Sequence, residues 1–223
     1  VMSLLLPVAN RVRFCWWGGE ESGLLGSRAY VKHLNQTGQL YRVALNLNFD
    51  MLASPNYKTG VYNGSDSDKQ ESNAVPGSTY IMKVFTDFFD TLESPWTPSA
   101  FTGRSDYGPF LEMGIPAGGL DTGAEGIKSI DERKRFGGLA RTAFDPCYHQ
   151  DCDDLYNVNM EEIALLSRGI AHTLQHLATD DQLRNTLNFP LSTAASRRIA
   201  TAAVYKHRVP VASLLFRGHD LLY

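Results

Sequence analysis

The stretch Trp16-Trp17-Gly18-Gly19-Glu20-Glu21-Ser22-Gly23-Leu24-Leu25-Gly26-Ser27 decides how this chain reads, because it sets two adjacent carboxylates where a strand gives way to a helix. Ahead of it, Arg11 to Trp16 (RVRFCW) is rich enough in β-branched and aromatic residues for a buried strand, and the glycines break that strand just before the acids. Cys15 inside it reads as a small buried hydrophobe. After it, Leu24, Leu25, Ala29, Tyr30, Val31 and Leu34 carry a helical apolar face, with Ser22 as N-cap. The acids therefore stand at the carboxyl end of a strand, the edge of an open α/β sheet where ligand crevices form.

Working outward, Val43, Leu45, Leu47 and Phe49 alternate with Ala44, Asn46, Asn48 and Asp50, so a second strand delivers Asp50 to the same edge. Gly60 to Asn63 fits a short strand and Ser65 to Gly77 a polar loop. Ile81, Met82, Val84, Phe85, Phe88, Phe89 and Leu92 follow helical spacing until Pro95, and this aromatic stripe reads as core. Gly103 to Met113 predicts a short helix capped by Ser105 or Asp106, and Ile115 to Leu120 a further strand. Ile130 to Cys147 is charged and glycine-broken and reads as irregular. Asn159 caps a long helix, Met160 to Ala178, with Ile163, Leu166, Ile170, Leu174 and Leu177 on one face. Beyond it lie a helical stretch near Arg197 to His207 and an apolar one near Val211 to Phe216. These divide the chain into residues 1–178 and a tail, 179–223, of unassigned role.

The composition excludes several classes. With 223 residues, a net charge of −3 and a mean hydropathy of −0.23, the chain reads as one globular domain with a sizeable core. No apolar run approaches the roughly 18 to 20 residues of a membrane span. Five basic residues and one acid follow Ser192, leaving −7 on the rest, and that tail is too sparse for a nucleic-acid patch. Gly118, Gly119, Gly123 and Gly126 make no dinucleotide fingerprint.

The residues suited to hard Lewis-acid chemistry are Glu20, Glu21, Asp50 and His149. Oxygen and imidazole donors without thiolate suit a catalytic zinc, which keeps a position open for water. Adjacent residues at a strand end point in opposite directions, so one glutamate can bind metal while the other handles protons. His172 and His176 also lie four apart on the long helix, but Thr-Leu-Gln separates them, and both read as solvent-facing. Cys147 and Cys152 bracket His149; they are either two unrelated thiols or a short disulfide, which would imply an oxidising compartment.

The runs RVRFCWWGGEESGLLGS, LNLNFDM, GRSDYGPF, GIPAGGLDTGAEGIKS and DPCYHQDCDDLYNVN resemble, in that order, the M28 family of zinc aminopeptidases, most closely its fungal aminopeptidase Y and secreted leucine aminopeptidase branch. The resemblance covers about Arg11 to Ala178. It implies an α/β fold with a mixed, mostly parallel central sheet sandwiched by helices. It also implies two zinc ions bridged by an aspartate and a water, and release of amino-terminal residues, bulky apolar ones above all, from peptides. Position by position, Glu20 matches the general base, Glu21 and His149 ligands of one zinc, and Asp50 a ligand of the other. Tyr148 matches an oxyanion donor, Cys147 and Cys152 a disulfide closing the loop, and Arg104 to Asp106 a substrate-side or supporting segment. The implied partners are peptide substrates, and the implied location is extracellular or vacuolar.

The family pattern also has a His-x-Asp motif and a bridging aspartate ahead of the glutamate pair, whereas no His or Asp precedes Glu20 here. We therefore read the chain as the carboxyl-terminal part of a longer precursor, truncated, nicked or misassigned at its start. Its sheet is expected to lack the amino-terminal strands, and the missing segment becomes a possible partner. Alone, the chain is expected to bind zinc poorly and to show little peptidase activity. Two other readings stay open: a non-catalytic binding module on the same fold, and a single-zinc glutaminyl cyclase-like transferase.

Overall fold

The computed structural model of the chain describes residues 8–65 and 74–187. Its centre is a four-stranded sheet made of β1 (Asn46–Phe49), β2 (Gly60–Tyr62), β3 (Thr97–Ser99) and β4 (Ala117–Asp121) in the order β1-β4-β2-β3. β1 runs parallel to β4, with Phe49 opposite Leu120; β2 is antiparallel to β4 and parallel to β3. The sheet is mixed and flanked by helices, as expected, and the alternation from Val43 to Asp50 ends with Asp50 immediately after β1.

Alternate residues of the strands feed opposite faces, which is why this sheet needs cover on both. Val61 and Leu120 are fully buried against α2 (Ser78–Thr91), α5 (Met160–Thr179) and α6 (Leu183–Thr186), with Ile81, Phe85, Phe89, Leu166, Leu183 and Leu187 completing that core. Tyr62 and Ala117 face the other way, onto Phe101, Tyr107 and Leu111 at α3 (Gly108–Glu112). There α1 (Leu25–Gln36) packs Val31 and Leu34 beside Phe110 and Ile115. α2 lies so close to the sheet that a Cβ on Gly118 would meet Ile81 Cγ2 at 2.3 Å, so only glycine fits there. The aromatic stripe is core, and Asn159 caps α5 by accepting from the Glu162 amide at 2.9 Å.

Four expectations need correction. Arg11 to Trp16 forms no strand: it is extended but unpaired, with Phe14 66 % and Trp16 88 % exposed and Cys15 exposed rather than buried. Strand composition becomes a strand only where ladder partners exist, and among the described residues this segment has none. Trp17, just after it, packs inward on Tyr30 and Phe110. Ser22 is not the N-cap of α1; Leu24 is, in the left-handed region, within a turn in which the Gly23 and Leu24 amides donate to Glu20 O. Nor do Ser105 and Asp106 cap α3, which starts after Tyr107 with Pro109 in its first turn. Lastly, Ile130–Phe136 is a helix, α4, held by a reciprocal capping box between Ser129 and Glu132. The loop from Ser65 to Gly77 is described only in part, and the stretches near 197–207 and 211–216 lie outside the described residues.

Candidate functional site

The turn ahead of α1 aims the two glutamates. The Leu25 amide donates to Gly19 O and the Gly26 amide to Gly18 O, and a Cβ on Gly26 would strike Gly18 O at 2.8 Å. Glycine there lets the helix start fold back on the Gly18-Gly19 backbone, leaving Glu20 half-buried and Glu21 exposed.

The opposite wall comes from the long loop between α4 and α5. Its course is pinned by Asn56, whose side chain donates to Leu139 O and Ala143 O and accepts from the Leu139 amide. Farther along, Asp145 accepts from the Cys147 amide and from Asn157 Nδ2, and the Asn159 amide donates to Ala53 O. Both ends of the loop are thus tied to the segment leaving β1. Cys147 and Cys152 form a disulfide with Cα atoms 5.3 Å apart, and His149 inside that ring sits at φ 57°. Few side chains adopt such a φ unaided, and the short covalent ring restricts the alternatives.

These two walls meet. His149 Nε2 lies 2.7 Å from Glu21 Oε1, joining residues 128 positions apart, and the Tyr148 ring stacks on the His149 imidazole at 3.8 Å between centroids. Asp50 stands nearby with Oδ2 accepting from Ser105 Oγ at 2.6 Å, while Asn48 Nδ2 donates to the same hydroxyl at 2.8 Å. A hydroxyl has one proton, so the Asn48 bond leaves Ser105 free to donate to Asp50 and orients that carboxylate. Asp106 is buried, and its Oδ1 has no hydrogen-bond partner. Arg104 pairs with Glu125 at 2.7 Å and faces Tyr148.

The electrostatics follow from crowding four carboxylates. Burial, then Asp50, Glu21 and Asp106, push the Glu20 carboxyl from the ordinary 4.5 up to about 7, with His149 opposing. Burial chiefly, with Asp50 adding, raises Asp106, although a bond from Ser27 acts the other way. Burial and the neighbouring glutamates also raise Tyr148, keeping its hydroxyl a donor. A group whose folded pKa is raised holds its proton longer than the unfolded chain does, so stability falls as pH rises through that window. Metal-free protein should therefore lose stability from pH 4.5 to about 7. Glu20→Gln should flatten that part of a thermal-melting profile; an unchanged slope would place the titration elsewhere.

The donor set has the chemistry of a zinc site. A carboxylate and an imidazole touch, and a second carboxylate is pre-oriented. A catalytic zinc takes three protein ligands, however, and among the described residues no group of three or more His, Cys, Asp or Glu is placed to hold a metal ion. His172 and His176 are exposed, and His176 bonds Tyr80 Oη at 2.9 Å.

Sequence reasoning missed Asn48 and Glu125, and placed Ser105 in a substrate-side or supporting segment without naming Asp50 as the group it supports. The signal for Asn48 was present, since it lies two residues before Asp50 on the polar side of the alternation. Ser105→Ala should cost about 1–3 kcal/mol of stability, because the buried Asn48 amide then loses its acceptor. Denaturant unfolding would measure it, and a change within error would mean that water replaces the hydroxyl.

The fold comes first: it is one shared with solved aminopeptidases. The chain superposes on BSAP, a zinc aminopeptidase from Bacillus subtilis, with a TM-score of 0.54 at 21 % identity, covering 74 % of this chain and 35 % of that one. On the LapA aminopeptidase of Legionella pneumophila the TM-score is 0.51 at 22 % identity, covering 74 % and 38 %. Residues 3–174 match the sequence model of peptidase family M28, and the chain belongs to that family. It is 42 % identical over 203 residues to the probable leucine aminopeptidase 2 of Aspergillus oryzae, covering 91 % of this chain and 40 % of that protein. It is 46 % identical over 164 residues to the probable leucine aminopeptidase 2 of Aspergillus fumigatus, covering 74 % and 32 %. The chain thus spans 40 % or less of the length of these relatives.

Proposed function

We propose that this chain carries part of the catalytic centre of a zinc aminopeptidase that releases amino-terminal residues, bulky apolar ones above all, from peptides. The observation that carries the reading is the contact of Glu21 with His149 at 2.7 Å beside Glu20. Two walls separated by 128 positions are brought together with metal-ligand chemistry on each. Family membership and relatives named as leucine aminopeptidases support it over the binding-module and cyclase readings, and a binding module would not need a proton-transfer glutamate among the carboxylates.

In this reading Glu21 and His149 would hold one zinc and Asp50 a second, together with donors that the described residues do not supply. Bound zinc would supply Lewis-acid polarisation and lower the pKa of a water nucleophile. Glu20 takes the proton of that water and returns it to the leaving amine, a task for which a carboxyl titrating near neutrality is suited. Tyr148 keeps its proton and donates to the carbonyl oxygen as charge develops there. Ser105 and Asn48 hold the Asp50 carboxylate in one orientation. The free amine of the substrate finds the remaining carboxylate oxygens. The disulfide supports an oxidising location, extracellular or vacuolar. No helix among the described residues is long and apolar enough to cross a membrane.

The test is zinc-dependent hydrolysis of a leucyl anilide compared with its N-acetyl derivative. Hydrolysis of the free-amine substrate alone, abolished by chelation, supports the reading. Cleavage of both substrates alike would overturn it.

A further inference from the structure

The cleft lined by Glu20 and Glu21 also carries two guanidiniums that take no part in the metal and proton chemistry above. It has a volume of about 250 Å³ and is lined by Glu20, Glu21, Leu24, Arg28 from the first turn of α1, and Arg104. That volume is below the roughly 300–1,000 Å³ of sites for drug-sized ligands, so the cleft suits a very short peptide. Its lining carries both carboxylates and guanidiniums, which matches a molecule that is an amine at one end and a carboxylate at the other.

Both guanidiniums are engaged, but loosely. Arg28 makes a two-pronged pair with Glu112 at 2.8 and 2.9 Å, their side chains 48 % and 54 % exposed. Arg104 uses one nitrogen on Glu125, with exposures of 65 % and 53 %. Solvent-exposed pairs contribute between nothing and about 1 kcal/mol, so an incoming carboxylate can share or displace either glutamate. Arg104 also keeps most of its five donors available, in the fork geometry that suits a carboxylate.

We propose that Arg28 and Arg104 read the free α-carboxylate of short peptides, making di- and tripeptides the preferred ligands of this cleft. Resting on the aminopeptidase reading, this names its substrate class: Glu20 and Glu21 face the amine end and the two arginines the carboxylate end. Longer chains and carboxyl-blocked peptides lose the second anchor.

Calorimetric titration of the full chain carrying Glu20→Gln, in the presence of zinc, tests this with turnover suppressed, using leucyl-glycine, leucyl-glycinamide and N-acetyl-leucyl-glycine. Leucyl-glycine should bind about three- to tenfold more tightly than the amide at low salt, and the gap should shrink as salt rises. Arg28→Gln and Arg104→Gln should each narrow it. Glu112→Gln with Glu125→Gln, which frees both guanidiniums, should widen it, a gain that misfolding cannot mimic. Equal binding of acid and amide, with none of the variants changing the ratio, would overturn the inference. Equal binding of the free and N-acetylated peptides would instead overturn the amine-end reading on which it rests.

Discussion

Glu20→Gln is expected to lower kcat of the active, zinc-loaded enzyme by about two to four orders of magnitude, the range that a positioned acid/base group contributes. Zinc affinity should stay close to that of the parent protein. The split follows from the geometry. Glu21, not Glu20, touches His149, while Glu20 sits among Asp50, Glu21 and Asp106 with its carboxyl raised to about 7. Glutamine keeps the shape and removes the basic oxygen, and it also relieves like-charge repulsion. The variant should therefore be at least as stable as the parent at neutral pH. Single-turnover kinetics and zinc titration on the same preparation check both halves. A variant that loses metal and rate together would make Glu20 a ligand and reverse the assignment of the two glutamates.

His149→Ala should have the opposite signature: metal is lost first and activity with it. Supporting residues around metal sites typically cost about 10- to 100-fold in affinity when removed, and loss of a direct donor should exceed that. Competition with a chromogenic chelator measures it. The loop should keep its path, because Asn56, Asp145 and the disulfide hold it without the imidazole. Replacing Cys147 and Cys152 with serine should give a weaker version of the same defect, since His149 would then meet the strain of φ 57° without the covalent ring. Zinc affinity unchanged in His149→Ala would remove the imidazole from the metal site and the central support for the proposed function.

Much of the architecture was legible because its causes are local. The alternation before Asp50, the helical spacing from Ile81 to Phe89 and the Asn159 cap act over a few residues, and each appears in the structure where the chain places it. α4 was missed although its signal was there: Ser129 and Glu132 form the capping box, and Asp131 pairs with Lys134 at 2.8 Å. Such a helix is held by its end and its surface charges rather than by an apolar stripe, so hydrophobic periodicity does not see it. Arg11 to Trp16 failed in the opposite direction. Its composition suits a strand, but hydrogen-bonding partners for a strand are not encoded in the strand itself.

By itself the sequence determined the family, the order of the core elements and the chemical kinds of side chain available at the sheet edge, because these depend on residue type and short-range spacing. Which of those side chains meet was decided only in three dimensions. Glu21 reaches His149 through a turn with a left-handed residue on one side and a disulfide ring on the other, and Asp50 takes its orientation from a serine 55 positions away. Contacts of that range depend on how the loop and the sheet pack, and no local pattern carries them.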